Sequence, residues 1–132
     1  APFDNRQDEP TVVENLRGDY HEIVYIARIP TQDWTIIPAL LRFGGWNECP
    51  LNEWHISAFR HWNKKYGAEL VSMTHDILEM RVKHRPEMLR DAVTLAMEQY
   101  YYCPDIVDQG VDDPANLAKF LMQNDMWYFW WD

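Results

Sequence analysis

The sequence predicts an α+β domain of the split βαβ, ferredoxin-like kind: a four-stranded sheet with helices on one face and an inserted segment at 33–46. Three observations point there. Two apolar runs rich in β-branched and aromatic residues, HEIVYIARI at 21–29 and MWYFWW at 126–131, lie far apart in the sequence. Two intervening segments repeat apolar residues at intervals of three and four, the period of a helix with one buried face. A turn of hairpin length, THD, joins two further strand-like runs. The resulting order is strand, helix, strand, strand, helix, strand, with one extra helix before the last strand, and it matches two βαβ units around a hairpin.

Taken in order, residues 1–19 (APFDNRQDEPTVVENLRGD) are polar, acidic and broken by two prolines, and read as an N-terminal arm. The run at 21–29 places Ile23, Tyr25, Ala27 and Ile29 on one face and Val24 and Ile26 on the other, as in a strand covered on both sides. Pro30 ends it. Segment 33–46 is apolar but broken by Pro38 and the Gly44-Gly45 pair, which suits a short helix over 33–41 and then a turn. Residues 50–67 form a clearer helix. Its stripe is Leu51, Trp54, Ala58, Phe59, Trp62 and Tyr66, with Pro50 in the first turn, Lys64 and Lys65 in the last, and Gly67 just past the end. AELVSM (68–73) and ILEMRV (77–82) are the hairpin strands. Residues 86–102 are a second helix with the stripe Leu89, Ala92, Val93, Ala96 and Tyr100. After a loop, Asp113 and Pro114 read as N-cap and first residue of a helix carrying Leu117, Ala118, Phe120 and Leu121. The aromatic run 126–131 follows and is expected to pair with 22–29. Because ferredoxin-like helices cover one face alone, something must cover the other, and the insert 33–46 is the expected cover.

The 132 residues suit one domain, 20–132, behind the arm. With 47% hydrophobic and 14% aromatic residues, the composition is that of a folded protein. No apolar run reaches the roughly 20 residues that span a bilayer, and no leader pattern opens the chain. A net charge of −9 argues against nucleic acid and anionic membranes as partners and favours a basic protein. Two cysteines are too few for a disulfide scaffold, so a cytoplasmic location is expected.

The blocks FGGWNECP (43–50), YGAELV (66–71), YCPDIVDQG (102–110) and WYFWWD (127–132), in that order, resemble the bacterial domain-of-unknown-function family 4253. The resemblance covers about 22–132. It implies a compact α/β unit of bacterial origin and brings no activity, cofactor or catalytic residue with it.

Several constellations bear on chemistry. Cys49 stands at the entrance of the 50–67 helix and His55 lies six residues on, a spacing that allows a thiol and a base to meet. The competing reading is a buried thiol and a hydrogen-bonded core histidine. In the expected fold the two long helices run parallel, which separates Cys49 from Cys103 and disfavours a disulfide, since its Cα atoms must lie within about 7 Å. Asp105, Asp108 and Asp112 could ligate a cation, but their spacing is not that of a calcium loop, and with Asp113 they suit turns and caps. No zinc box, phosphate loop, nucleophile elbow or dinucleotide fingerprint is present. Trp46, Asn47 and Glu48, beside the paired glycines, with Asp108 and Asp112, are the candidate partner-binding residues. The sequence therefore reads as a non-enzymatic, acidic protein-binding domain without a cofactor, immunity- or adaptor-like by analogy, with self-association as a further possibility. The alternative is a small hydrolase-like or thiol enzyme using Cys49, His55 and the Asp105–Asp113 loop.

Overall fold

The computed structural model describes Phe3, Pro10, Thr11, Asp19, Tyr20 and residues 23–132. After a 3-10 turn at Trp34–Ile36, the elements are α1 (Ile37–Leu40), α2 (Asn52–Tyr66), β1 (Glu69–Met73), β2 (Ile77–Arg81), α3 (Leu89–Tyr102), a π-helical turn (Val107–Val111), α4 (Pro114–Gln123) and β3 (Met126–Trp130). Local chemistry sets several of these boundaries. Asp33 caps the first turn through the Thr35 amide, Asp113 caps α4 through the Ala115 amide at 2.6 Å, and Pro114 occupies the first helical position. Gly67 ends α2 in the left-handed conformation with φ 63°, donating its N–H to the Asn63 carbonyl.

Among the described residues the fold is α+β with a three-stranded antiparallel sheet in the order β1-β2-β3. This corrects the four-stranded, ferredoxin-like expectation in two respects. The aromatic strand pairs with β2, matching Leu78 with Phe129 and Met80 with Trp127, and not with 22–29. Residues 23–29 form no strand and are largely exposed, Ile26 fully so; His21 and Glu22 lie outside the described residues. β-propensity expresses fit to a neighbouring strand, and an apolar β-branched run without one has no ladder to join.

The hairpin register explains the mixed pattern of β1. Leu70 opposes Met80, Ser72 opposes Glu79 and Met73 opposes Leu78, with an irregularity between Leu70 and Ser72. The bulge lets Leu70 and Met73, three residues apart, both face the helices. Leu78 and Met80 of β2 and Trp127 and Phe129 of β3 join them on that face, while Ser72, Glu79 and Tyr128 point to the other.

The helices cover the first face. α2 buries His55, Phe59, Trp62 and Tyr66, so its inward stripe is rotated from the expected one: His55 turns in and Trp54 turns out. α3 likewise buries Leu95 and Gln99 and exposes Leu89 and Val93. Trp62 stacks on Phe129 at 5.4 Å and meets Trp127 edge-on at 5.7 Å. α2 and α3 run antiparallel, not parallel as expected. His55 meets Tyr102, whereas His61 and Trp62, further along α2, meet Glu98, which lies earlier on α3. Cys49 and Cys103 consequently lie toward the same end of the helix pair, and both are buried free thiols. The insert 33–46 packs on the helix side, with Trp34 stacked on Phe59 at 5.6 Å and Arg60 paired with Asp33 at 2.9 Å. It is therefore not the cover of the sheet's second face. Two residues that precede it lie on that face: Phe3 packs edge-on against Tyr128, and the Thr11 N–H donates to Glu79.

Candidate functional site

The segment 42–50 is built to turn back on itself. Arg42, Gly44, Gly45 and Asn47 all take positive φ, the Cys49 N–H donates to the Trp46 carbonyl at 2.8 Å, and the Gly45 N–H donates to Pro50 at 3.0 Å. This fold-back sets Gly44 directly over the imidazole of His55. A Cβ on Gly44 would lie 2.6 Å from His55 Nε2 and closer still to the Pro50 carbonyl oxygen. Glycine is needed there for its φ of 94° and for the absence of a side chain. Phe43, Tyr102 and Trp131 pack edge-on around the same ring at 5.4–5.7 Å.

Cys49 and His55 are thus brought together, with Sγ 3.7 Å from Nε2, and Nδ1 lies 2.5 Å from the Tyr102 hydroxyl. Distance alone would suggest nucleophile, base and orienting group. The electrostatics point elsewhere. Burial pushes the Cys49 thiol up to about 12, and the Tyr102 hydroxyl well above its usual range. Burial also pushes the His55 imidazole down to about 4, with the Pro50 carbonyl acting weakly in the opposite direction. A neutral imidazole has one N–H. Nδ1 is matched to the Tyr102 hydroxyl and Nε2 to the Cys49 thiol, so both ring nitrogens have partners and the thiol stays protonated. The chemistry of this arrangement is that of a polar pin. It ties the 42–50 segment to the end of α3 beneath a roof of glycine backbone.

The pin has a pH signature. His55 titrates near 6.5 when unfolded and near 4 when folded. Between those values the unfolded chain binds a proton that the folded chain does not, so stability is full above about 6.5 and is lost as pH falls toward about 4. The gap is worth on the order of 3 kcal/mol. The melting temperature should therefore fall on acidification from pH 7 to about 4.5. His55→Gln, less stable at pH 7, should give a flatter profile across the same window; an equally steep profile would remove His55 as the cause.

The acidic loop is occupied by its own structure. Asp105 accepts the Asp132 N–H at 2.9 Å and the Gln109 side chain at 3.0 Å, Asp108 accepts the Tyr100 hydroxyl at 2.8 Å, and Asp113 caps α4. Asp112 is exposed, in the left-handed conformation. No group of three metal-ligating side chains occurs among the described residues. Of the candidate partner-binding residues, Trp46 is half-buried edge-on against Phe43 at 5.0 Å, and Glu48 is exposed. Asn47 donates to the Asp132 carbonyl at 2.6 Å, which joins the 42–50 segment to the loop at Asp105 through Asp132. Four large apolar side chains that flank the 42–50 segment in sequence are exposed. Leu51 and Trp54, the latter 69% exposed, stand at the start of α2, and Leu40 and Leu41 end the adjacent α1.

Sequence reasoning missed Tyr102 and the roofing role of Gly44. Tyr102 is 47 residues from His55, and no local spacing signals that pairing. No helix among the described residues is long and apolar enough to cross a membrane. Comparison with known proteins finds no match among curated proteins or solved structures. A family profile described as a domain of unknown function, DUF4253, matches residues 25–132 and so takes in the pin, the acidic loop and all three strands. The chain therefore belongs to the DUF4253 family.

Proposed function

We propose that the protein is a non-enzymatic binding domain, immunity- or adaptor-like, that works in the bacterial cytoplasm and holds a basic protein partner. One observation carries the reading: on consecutive residues of α2 the imidazole of His55 is sealed inside while the indole of Trp54 is turned outward. A fully closed, neutral thiol–imidazole pair is poorly placed to meet a substrate, whereas an exposed tryptophan among leucines is the kind of group that anchors an interface. Leu40, Leu41, Leu51 and Trp54 form the apolar centre of the proposed surface. Trp46, Asn47 and Glu48 border it. Asp108 and Asp112, within a net charge of −9, supply attraction at a distance.

With a partner captured from the host, association should be faster at low salt, because steering between charges is screened over about 10 Å at 0.1 M ionic strength. Trp54→Ala should mainly raise the off-rate, and Asp112→Asn should mainly lower the on-rate. Salt-independent association together with a silent Trp54→Ala would defeat both halves of the proposal.

A second reading, a thiol enzyme using Cys49, His55 and the Asp105–Asp113 loop, is favoured by the 3.7 Å Sγ–Nε2 approach. It requires the 42–50 segment to lift and the thiol to ionise, and both requirements are open to measurement.

A further inference from the structure

The sheet's second face holds a carboxylate sealed from solvent. Glu79, at the middle of β2, is 0% exposed. It accepts the Ser72 hydroxyl from β1, and its Oε1 accepts the main-chain N–H of Thr11 at 2.7 Å. A buried carboxylate needs such donors, and here one comes from 68 residues away in sequence. On the same side of the molecule, Phe3 sits edge-on against Tyr128 at 5.8 Å and Phe120 at 5.1 Å. Gly110 leaves room for it, since a Cβ there would come within 3.2 Å of the Phe3 ring. The face thus offers a hydrogen-bond socket and an aromatic slot. Both are built from residues inside the 25–132 family match, and both are filled by residues outside it. Charge does not explain the docking. Residues 1–19 carry Asp4, Asp8, Glu9, Glu14 and Asp19 against Arg6 and Arg17, a net acidic stretch in a chain whose net charge is −9.

We propose that this face is a docking surface for a peptide bearing an aromatic side chain and a free main-chain N–H, placed as Phe3 and Thr11 are, and that the segment carrying Phe3 and Thr11 is its resident, displaceable occupant. A partner segment with the same two features would compete with the arm. This surface is separate from the Trp54 surface and has the opposite salt behaviour.

The test uses the full chain and a fluorescent peptide of residues 1–19. A tethered arm competes at an effective concentration that can reach the millimolar range, so the wild-type chain should bind the peptide weakly. Phe3→Ala in the full chain should loosen the arm and tighten apparent peptide binding about tenfold. Thr11→Pro, which deletes the donating N–H, should act in the same direction. Raising salt should leave this binding unchanged or tighten it, and a peptide that itself carries Phe3→Ala should fail to bind. The proposal is overturned if the peptide binds neither variant, or binds wild type and variants alike. It is also overturned if both variants fail to fold, because the arm would then be integral and not displaceable.

Discussion

Deleting Trp127–Asp132 is expected to abolish cooperative unfolding. Trp127, Phe129 and Trp131 are each at most 1% exposed, and all three face the helices. They are not peripheral rings: Trp127 touches Trp62 and Tyr66, Phe129 touches Trp62 and Tyr102, and Trp131 touches Phe43, His55 and Tyr102. Truncating one buried Phe or Trp to Ala typically costs about 3–5 kcal/mol. A domain of this size is stable by about 5–15 kcal/mol, so losing three such groups exceeds what it can spare. The deletion also strips β2 of its ladder partner on one side. Phe129→Ala is the graded version and should lower stability by about 3–5 kcal/mol in a denaturant titration. A truncated chain with an unchanged melting curve would show that β3 is not part of the core.

Gly44→Ala is expected to be among the most damaging single-methyl additions in the chain. The new Cβ would strike the Pro50 carbonyl, which is backbone, and His55 Nε2, which is held by its own partners. Neither can move aside without breaking the pin. The φ of 94° is unfavourable for alanine in addition. Strain of about 1–3 kcal/mol for the backbone and about 1–3 kcal/mol for overpacking give a combined loss of about 2–6 kcal/mol. Gly45→Ala meets the Leu51 side chain at 3.3 Å, a flexible neighbour, and should cost less despite a similar φ. The ratio of the two losses, measured by denaturant titration, checks that Gly44 is a roof tile and not merely a turn residue.

The helices were legible in the sequence because helix signals are local. Pro114 after Asp113, Gly67 after two lysines and the three-four spacing of Phe59, Trp62 and Tyr66 each act within a few residues. The hairpin was legible for the same reason. What misled was the choice of strand neighbours. The run at 23–29 has strand composition, but composition does not name a partner, and β3 found β2 instead. Helix phase was also ambiguous. The Trp54 indole and the His55 imidazole compete for the inward position, and the imidazole goes in because Tyr102 and Cys49 partner its nitrogens. The approach of Cys49 to His55 could be suspected from six residues of separation. That the pair would be neutralised by burial under Gly44 could not, because the roof depends on four positive φ angles that a sequence does not announce.

The central claim is that Cys49, His55 and Tyr102 form a structural pin and that the protein works from its outer surface. The most direct measurement is the rate of Cys49 alkylation by iodoacetamide in the native protein at pH 7, read by peptide mass. A thiol held at about 12 is ionised at pH 7 in only about one molecule in 10⁵. It is closed to solvent as well, so reaction should be slow and should wait on opening of the structure. Gly44→Ala should speed it by weakening the roof, in proportion to its loss of stability. Rapid alkylation of the wild-type protein, abolished by His55→Gln while the fold is retained, would contradict the claim and make the thiol enzyme the better account.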